Sequence, residues 1–339
     1  MKRILEYVWI DGNNNLRSKI KVLTVTEEKD NLEQYPLWNF DGSSTNQATH
    51  IDSDIILKPE RLYNNPFIKG GELLLCDCYN KDMTPHISNN RHQCFITSDK
   101  YNNFECLFGI EQEYVIFDRN NIPYEWKNES NPGLGDQGPY YCSVGGDRAF
   151  GRELSNQYLL YCLEAGINIC GTNAEVMASQ WEFQIGTVNM LTVSDDLIMA
   201  RYILNRLSEN YGCYVSYHPK PYYEKWNGSG GHTNISTKMM RKPDGIKYIY
   251  EACNKLALRH EEHIKVYGVD NEKRLSGKCE TSSINEFTFG VANRGSSIRI
   301  PLQVFNDGFG YLEDRRPAAN LDPYLVTEIL MRTICEFTI

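Results

Sequence analysis

A chain of 339 residues with 41% hydrophobic and 23% charged residues has an ordinary folded composition, which excludes a disordered or fibrous protein. Its 35 Lys and Arg are outnumbered by 44 Asp and Glu, and the net charge of −9 argues against nucleic acid or an anionic membrane as main partner. At about 150 residues per domain the length gives two domains or one large one. The eleven Cys are scattered, with one C-x-C at Cys76 and Cys78 and no C-x-x-C, so reduced thiols of a cytoplasmic setting fit better than disulfides or a zinc ribbon. Glu6 and Asp11 interrupt the apolar start, which does not read as a signal peptide, and no apolar run nears the roughly 18 residues of a membrane span.

In chain order, residues 3 to about 78 read as strands and turns. Tyr7–Ile10, Lys19–Val25 and Leu73–Cys76 are strand candidates, with a turn at Asp11-Gly12-Asn13. A connection is expected near residues 80–92. Cys106–Phe117 is a strand candidate, and Asp147–Ala165 a helix with Leu154, Tyr158, Tyr161 and Cys162 on one stripe and Gly166 as its stop. Ser194 is expected to cap a second helix through Asn210, with Asp195 and Asp196 at its positive end. Tyr248–Val266 reads as a third helix stopped by Gly268, and Asp322-Pro323 opens the last. Short strands lie between: Trp181–Ile185, His232–Thr237, Ser297–Pro301 and Tyr311–Arg315. Strands and helices do not alternate strictly, so an α+β arrangement fits better than a doubly wound parallel sheet. Gly133-Leu134-Gly135-Asp136-Gln137-Gly138 matches a dinucleotide fingerprint in letters only, because it follows no strand and runs into Pro139. A Walker A loop is also missing; Leu275–Cys279 does not supply one.

Side chains two apart on a strand share a face, so Glu111 and Glu113 point the same way, with Val115 and Phe117 continuing that face. Two carboxylates side by side are either solvated on an exposed strand or neutralised by a divalent cation. Glu182 and Gln184 lie opposite the apolar Trp181, Phe183 and Ile185, which alone describes an amphipathic strand. His232, Asn234 and Ser236 share a face after the glycine-rich Gly228–Gly231, where glycine permits close backbone approach. Tyr311, Glu313 and Arg315 share another face, and Arg299 points away from Ile298 and Ile300. With Arg274 and Arg294 they need anionic partners: the protein's own carboxylates, or a phosphate suited to the guanidinium fork.

Taken together and in this order, several segments closely resemble the eukaryotic-type glutamine synthetase family. They are Trp38–Thr45, Glu111–Tyr114, Gly138–Cys142, Gly171–Met177, Trp181–Gly186, His232–Asn234, Ala292–Gly295, Ser297–Pro301 and Tyr311–Pro317. The resemblance covers nearly the whole chain. It implies a β-grasp N-terminal domain at 1–82 and a larger catalytic domain at 83–339, with an antiparallel sheet and flanking helices. It implies ATP-dependent ligation of ammonia to L-glutamate through a γ-glutamyl phosphate, in a cytoplasmic homodecamer of two pentameric rings whose active sites lie between subunits. The alternatives are a ligase for a larger amine on the same scaffold and a non-catalytic ring.

By the same resemblance, Glu113, Glu175 and Glu182 hold one divalent ion, and Glu111, His232 and Glu313 another, as Mg²⁺ or Mn²⁺. Arg294, Arg299 and Arg315 would stabilise the transferring phosphoryl group. Arg274, with Asn227 and Gly228, would hold the amino acid, and Asn234, Ser236 and Tyr311, with Arg299, the nucleotide. Asp41, Ser44, Tyr141 and Glu280 match the ammonium pocket, with Asp41 supplied by the adjacent subunit; taken alone, Asp41 would be a turn residue. The chain departs from the family pattern at Cys279, where His is usual, and around Tyr124–Glu129, and it is expected to lack the usual N-terminal helical extension.

Overall fold

The computed structural model describes residues 2–24, 32, 35–126, 138–222 and 226–336. Gly133–Gln137 of the glycine motif, Val25, and Lys127–Glu129 of the divergent segment lie outside the described residues.

Two sheets organise the chain. The first contains β1 (Lys2–Ile10), β2 (Leu16–Thr24), β3 (Trp38–Asp41), β4 (Asp54–Asn64) and β5 (Gly71–Tyr79) in the order β2-β1-β5-β4-β3. β1 and β5 run parallel at its centre and the other pairs are antiparallel, an arrangement that suits a β-grasp. Both faces are covered. Leu5, Tyr7, Trp9, Leu57 and Leu74 form a cluster on one side, while Val8, Leu73 and Leu75 join the large core of the rest of the molecule. Neither β3 nor β4 was expected from sequence. β4 carries Lys58, Pro59, Glu60 and Arg61 and a register shift at Pro59/Arg61, so its apolar alternation is broken.

The second sheet is formed by β6 (Leu107–Phe117), β7 (Ile169–Ala174), β8 (Gln180–Val188), β9 (Tyr214–Ser216), β10 (Gly231–Ser236), β11 (Phe289–Val291), β12 (Ile298–Ile300) and β13 (Leu312–Asp314). Its order is β11-β12-β13-β10-β6-β8-β7, with β9 paired to the far end of β6. The pairs are antiparallel except β11 with β12, which makes the sheet mixed rather than wholly antiparallel. Around it lie α1 (Asn90–Lys100), α2 (Arg152–Ala165), α3 (Met190–Asn210), α4 (Ile246–Leu258), α5 (His260–Ile264), α6 (Leu302–Asp307) and α7 (Pro323–Glu336). The α+β class therefore holds. No helix among the described residues is long and apolar enough to cross a membrane.

Three helix expectations need correction. α2 begins at Arg152 and not at Asp147, because Gly151 holds a positive φ of 77° before it; Gly166 ends it as expected, with φ 84°. α3 begins at Met190, capped by Asn189, whose side chain accepts from the Thr192 amide. Ser194, Asp195 and Asp196 sit in its second turn, fully buried. Asp195 pairs with Arg91 at 2.8 Å and Asp196 with Arg61 at 2.8 Å, so these acids answer guanidinium groups from α1 and β4 rather than the helix dipole. The third helix is two, α4 and α5, broken at Arg259. The last follows the sequence: Asp322 Oδ1 accepts from the amide of Tyr324 at 2.9 Å, with Pro323 in the first position.

Candidate active site

The second sheet brings the acidic side chains together by strand register. Glu113 pairs across from Glu182, and Glu111 lies opposite Gln184 on β8 and His232 on β10. Because Glu111, Glu113, Glu182 and Gln184 occupy one face, the intervening residues serve the other. Gln112 is buried behind the sheet, where its amide oxygen accepts from Arg201 Nε at 3.0 Å and its amide nitrogen donates to Ala319 O at 2.9 Å. Val115 and Phe117 continue the carboxylate face into an apolar cluster with Tyr140, Met177 and Trp226.

Glu111, Glu113, Glu175, Glu182, Gln184 and His232 wall a cavity of about 500 Å³. Glu113, Glu175 and Glu182 have carboxylate oxygens within 4.8 Å of one another, and Glu182 also joins Glu111 and His232 in a second group of the same spread. Burial pushes the carboxyl of Glu113 up, that of Glu175 to about 8 and that of Glu182 to about 9, and mutual repulsion adds to it. Burial also holds His232 well below its ordinary value, with Arg315 adding to the effect, so the ring is neutral. His232 Nδ1 lies 3.5 Å from both Glu111 Oε2 and Glu313 Oε1. A neutral imidazole and clustered buried carboxylates are a donor set that fits a divalent cation, which would relieve the repulsion.

The lining is also cationic. Arg294, Arg299 and Arg315 line the same cavity. Arg299 Nη1 donates to Glu313 Oε2 at 2.8 Å, and Arg315 Nη1 to Glu313 Oε1 at 2.6 Å. Both Glu313 oxygens are thus engaged by guanidinium groups, while Arg294 is exposed. Tyr141, Asn227 and Glu280 complete the lining; Glu280 and Cys279 both have positive φ, of 58° and 53°. An adjoining hollow of about 320 Å³ shares Glu111 and Gln184 and is lined by Asn234, Ser236 and Tyr311. Asn234 donates to Glu111 Oε1 at 2.9 Å, and its own Oδ1 has no partner.

Other expected residues lie away from this lining. Arg274 is buried behind His232: its Nη2 is 3.1 Å from His232 Nε2 and donates to Arg315 O at 3.0 Å, and burial lowers it to about 10. Glycines make that packing possible. A Cβ on Gly228 would meet Pro219 O at 2.4 Å, and one on Gly230 would meet Arg274 Nη2 at 2.5 Å. The close approach expected at this loop is therefore to the protein's own Arg and His. Asp41 and Ser44 stand at the end of β3, exposed, with Ser44 Oγ donating to Asp41 Oδ2 at 2.8 Å; neither lines the cavity.

Sequence reasoning missed Asn173, Gln180, Gln184 and Arg241 as orienting groups. Asn173 donates to Glu175 Oε1 at 3.0 Å, and Gln184 Nε2 donates to Glu182. Gln180 Nε2 spans Gly228 O at 3.0 Å and Ser229 Oγ at 3.2 Å. Arg241 reaches into the adjoining hollow and donates to Ser236 Oγ at 2.9 Å. The first three were readable as polar neighbours of the carboxylates. Arg241 stands in a turn after β10, where no periodicity points to it.

Residues 93–258 match the family model for the glutamine synthetase catalytic domain. The chain is 52% identical over 335 residues to glutamine synthetase of Candida glabrata, covering 98% of this chain and 89% of that protein. It is 51% identical over 333 residues to glutamine synthetase of Saccharomyces cerevisiae, covering 98% and 89%. Against glutamine synthetase of Amanita muscaria it is 52% identical over 330 residues, covering 97% and 92%.

Proposed function

The chain belongs to the glutamine synthetase family, and from that premise we infer how its residues make glutamine from L-glutamate and ammonia with ATP. The observation that carries the reading is one cavity lined both by converging carboxylates and by Arg294, Arg299 and Arg315. A γ-carboxylate is a poor electrophile. Phosphorylation by ATP converts it to γ-glutamyl phosphate, and ammonia then displaces phosphate from the carbonyl carbon. Charge must be neutralised as an anionic phosphate meets an anionic acceptor. The three Arg would receive the transferring phosphoryl group, with Glu313 holding Arg299 and Arg315 aligned.

Glu113, Glu175 and Glu182 would hold one Mg²⁺ or Mn²⁺, and Glu111, His232 and Glu313 another, with Glu182 near enough to serve both. Bound there, a divalent ion supplies Lewis-acid polarisation and screens the phosphates. Asn234, Ser236 and Tyr311, with Arg241, would bind the nucleotide. Asn227 and Gly228 would contact the amino acid, with Arg274 fixing His232 and that loop from behind. Asp41, Ser44, Tyr141 and Glu280 would capture ammonium and accept its proton. Asp41 lies outside its own chain's cavity, which supports its supply by an adjacent subunit. We assign residues 1–82 to a β-grasp domain and 83–339 to the catalytic domain, within a cytoplasmic decamer of two pentameric rings.

The test is a coupled assay with L-glutamate, ATP, Mg²⁺ and NH₄Cl, comparing the parent with Glu182→Ala. The parent should release ADP and form glutamine only with ammonia, and the variant should lose roughly 100-fold or more of the rate. Faster turnover with ethylamine than with ammonia would favour the larger-amine ligase. A folded oligomer without ATP turnover under either Mg²⁺ or Mn²⁺ would favour the non-catalytic ring.

A further inference from the structure

Two thiols outside the active site lie side by side. Cys106 Sγ and Cys335 Sγ are 3.7 Å apart and hydrogen-bonded, although 229 positions separate them in the chain. Cys106 is buried and immediately precedes β6; Cys335 is half-buried in the last turn of α7. The helix end is held in place beside them, because Lys255 Nζ donates to Ile334 O at 3.0 Å. A disulfide needs the sulfurs about 2 Å apart, so side-chain rotation must close the remaining distance.

We propose that Cys106 and Cys335 form a reversible disulfide that staples the last helix to the entrance of the strand carrying Glu111 and Glu113. The oxidant is a small-molecule disulfide such as oxidised glutathione. The thiolate of Cys335, the more accessible sulfur, attacks it, forming a mixed disulfide and releasing one glutathione thiolate. The thiolate of Cys106 then attacks the Cys335 sulfur and expels the second. Two protein thiols are oxidised, one glutathione disulfide is reduced to two thiols, and the two protein protons pass to them. The hydrogen bond with Cys106 and burial both raise the Cys335 thiol, so the reaction is slow and quickens with pH. The link closes a very long loop, which makes it a strong constraint on the unfolded chain.

The experiment incubates the assembled, unliganded protein with oxidised glutathione at pH 8.5, then maps disulfide-linked peptides by mass spectrometry and records melting curves with and without dithiothreitol. The expected result is a Cys106–Cys335 linked peptide and a melting temperature raised by about 5 °C, reversed by reductant. Both effects should vanish in Cys335→Ser and in Cys106→Ser. Full alkylation of both thiols after oxidation would overturn the proposal. So would a melting shift that survives in both Ser variants, or linkage confined to the exposed Cys142 and Cys170.

Discussion

Glu175 and Glu182 hold protons near pH 7 that carboxyls ordinarily lose at 4.5, since burial and, next to it, the charge of Glu113 raise them to about 8 and about 9. The folded chain therefore binds protons more tightly than the unfolded chain, and stability falls as pH rises toward 9. His232 and His263 act with the opposite sign, because their folded values lie below 6.5, but their contribution is complete above that pH. With divalent ions chelated, the melting temperature should decline between pH 7 and pH 9. Saturating Mg²⁺ or Mn²⁺ should flatten the decline by replacing the protons. Equal pH slopes with and without metal would show that these carboxyls are not the ligands. At this scale much of the site was legible: the two-residue spacing of Glu111 and Glu113 placed both on one face, and Arg299 opposite two isoleucines was an evident ion-pair donor. What the spacing could not reveal is depth. Arg274 and Glu313 look like any cavity residues in sequence, yet one stands behind His232 and the other is clasped by two guanidinium groups.

α3 joins the two sheets. Its second turn receives Arg91 and Arg61, while one turn further along Arg201 donates to Gln112 behind the carboxylate strand. Asp195 accepts from Arg91 at 2.8 and 3.0 Å, and from the Tyr324 hydroxyl at 2.8 Å. Asp195→Ala would leave Arg91 buried beside the more distant Glu60 and Asp77, at 3.4 and 3.6 Å, and should cost about 3–5 kcal/mol in urea unfolding. A loss below about 1 kcal/mol would mean those two acids suffice. Ser-Asp-Asp reads as a helix start because such residues cap helices locally. Here Asn189 had already done so, and the distant arginines that claim the two acids are invisible in a local window. β13 shows the same division of labour within three residues. Glu313 holds Arg299 and Arg315, which line the cavity, whereas Asp314 takes Tyr267 and the buried Arg316. Arg316→Met should lower stability by about 3 kcal/mol or more, measured by thermal or urea unfolding, because it strands Asp314 in the core.

For the whole molecule, the placement of Asp41 makes a clear demand. If each site takes Asp41 from one subunit and Glu182 from the next, two inactive variants should repair each other. Asp41→Ala and Glu182→Ala subunits, dissociated and reassembled together, should regenerate activity at about one site in four, while each alone stays inactive. No recovery from verified mixed rings would place both residues in one subunit's site or in separate roles. The broad architecture was legible because strand-rich and mixed regions differ in pattern. The strand order was not, since pairings such as β1 with β5 join segments far apart in sequence.

The alternation along β6 also fixes what the gene can tolerate. Glu111 and Glu113 face the cavity only because Gln112 faces the core, so one extra codon before them would exchange the two sets. The Asp11–Asn15 turn, mostly exposed, carries no such parity. A scan of single-codon insertions should therefore silence the enzyme throughout residues 107–113 and spare it at the turn, even where substitutions at the same positions are mild.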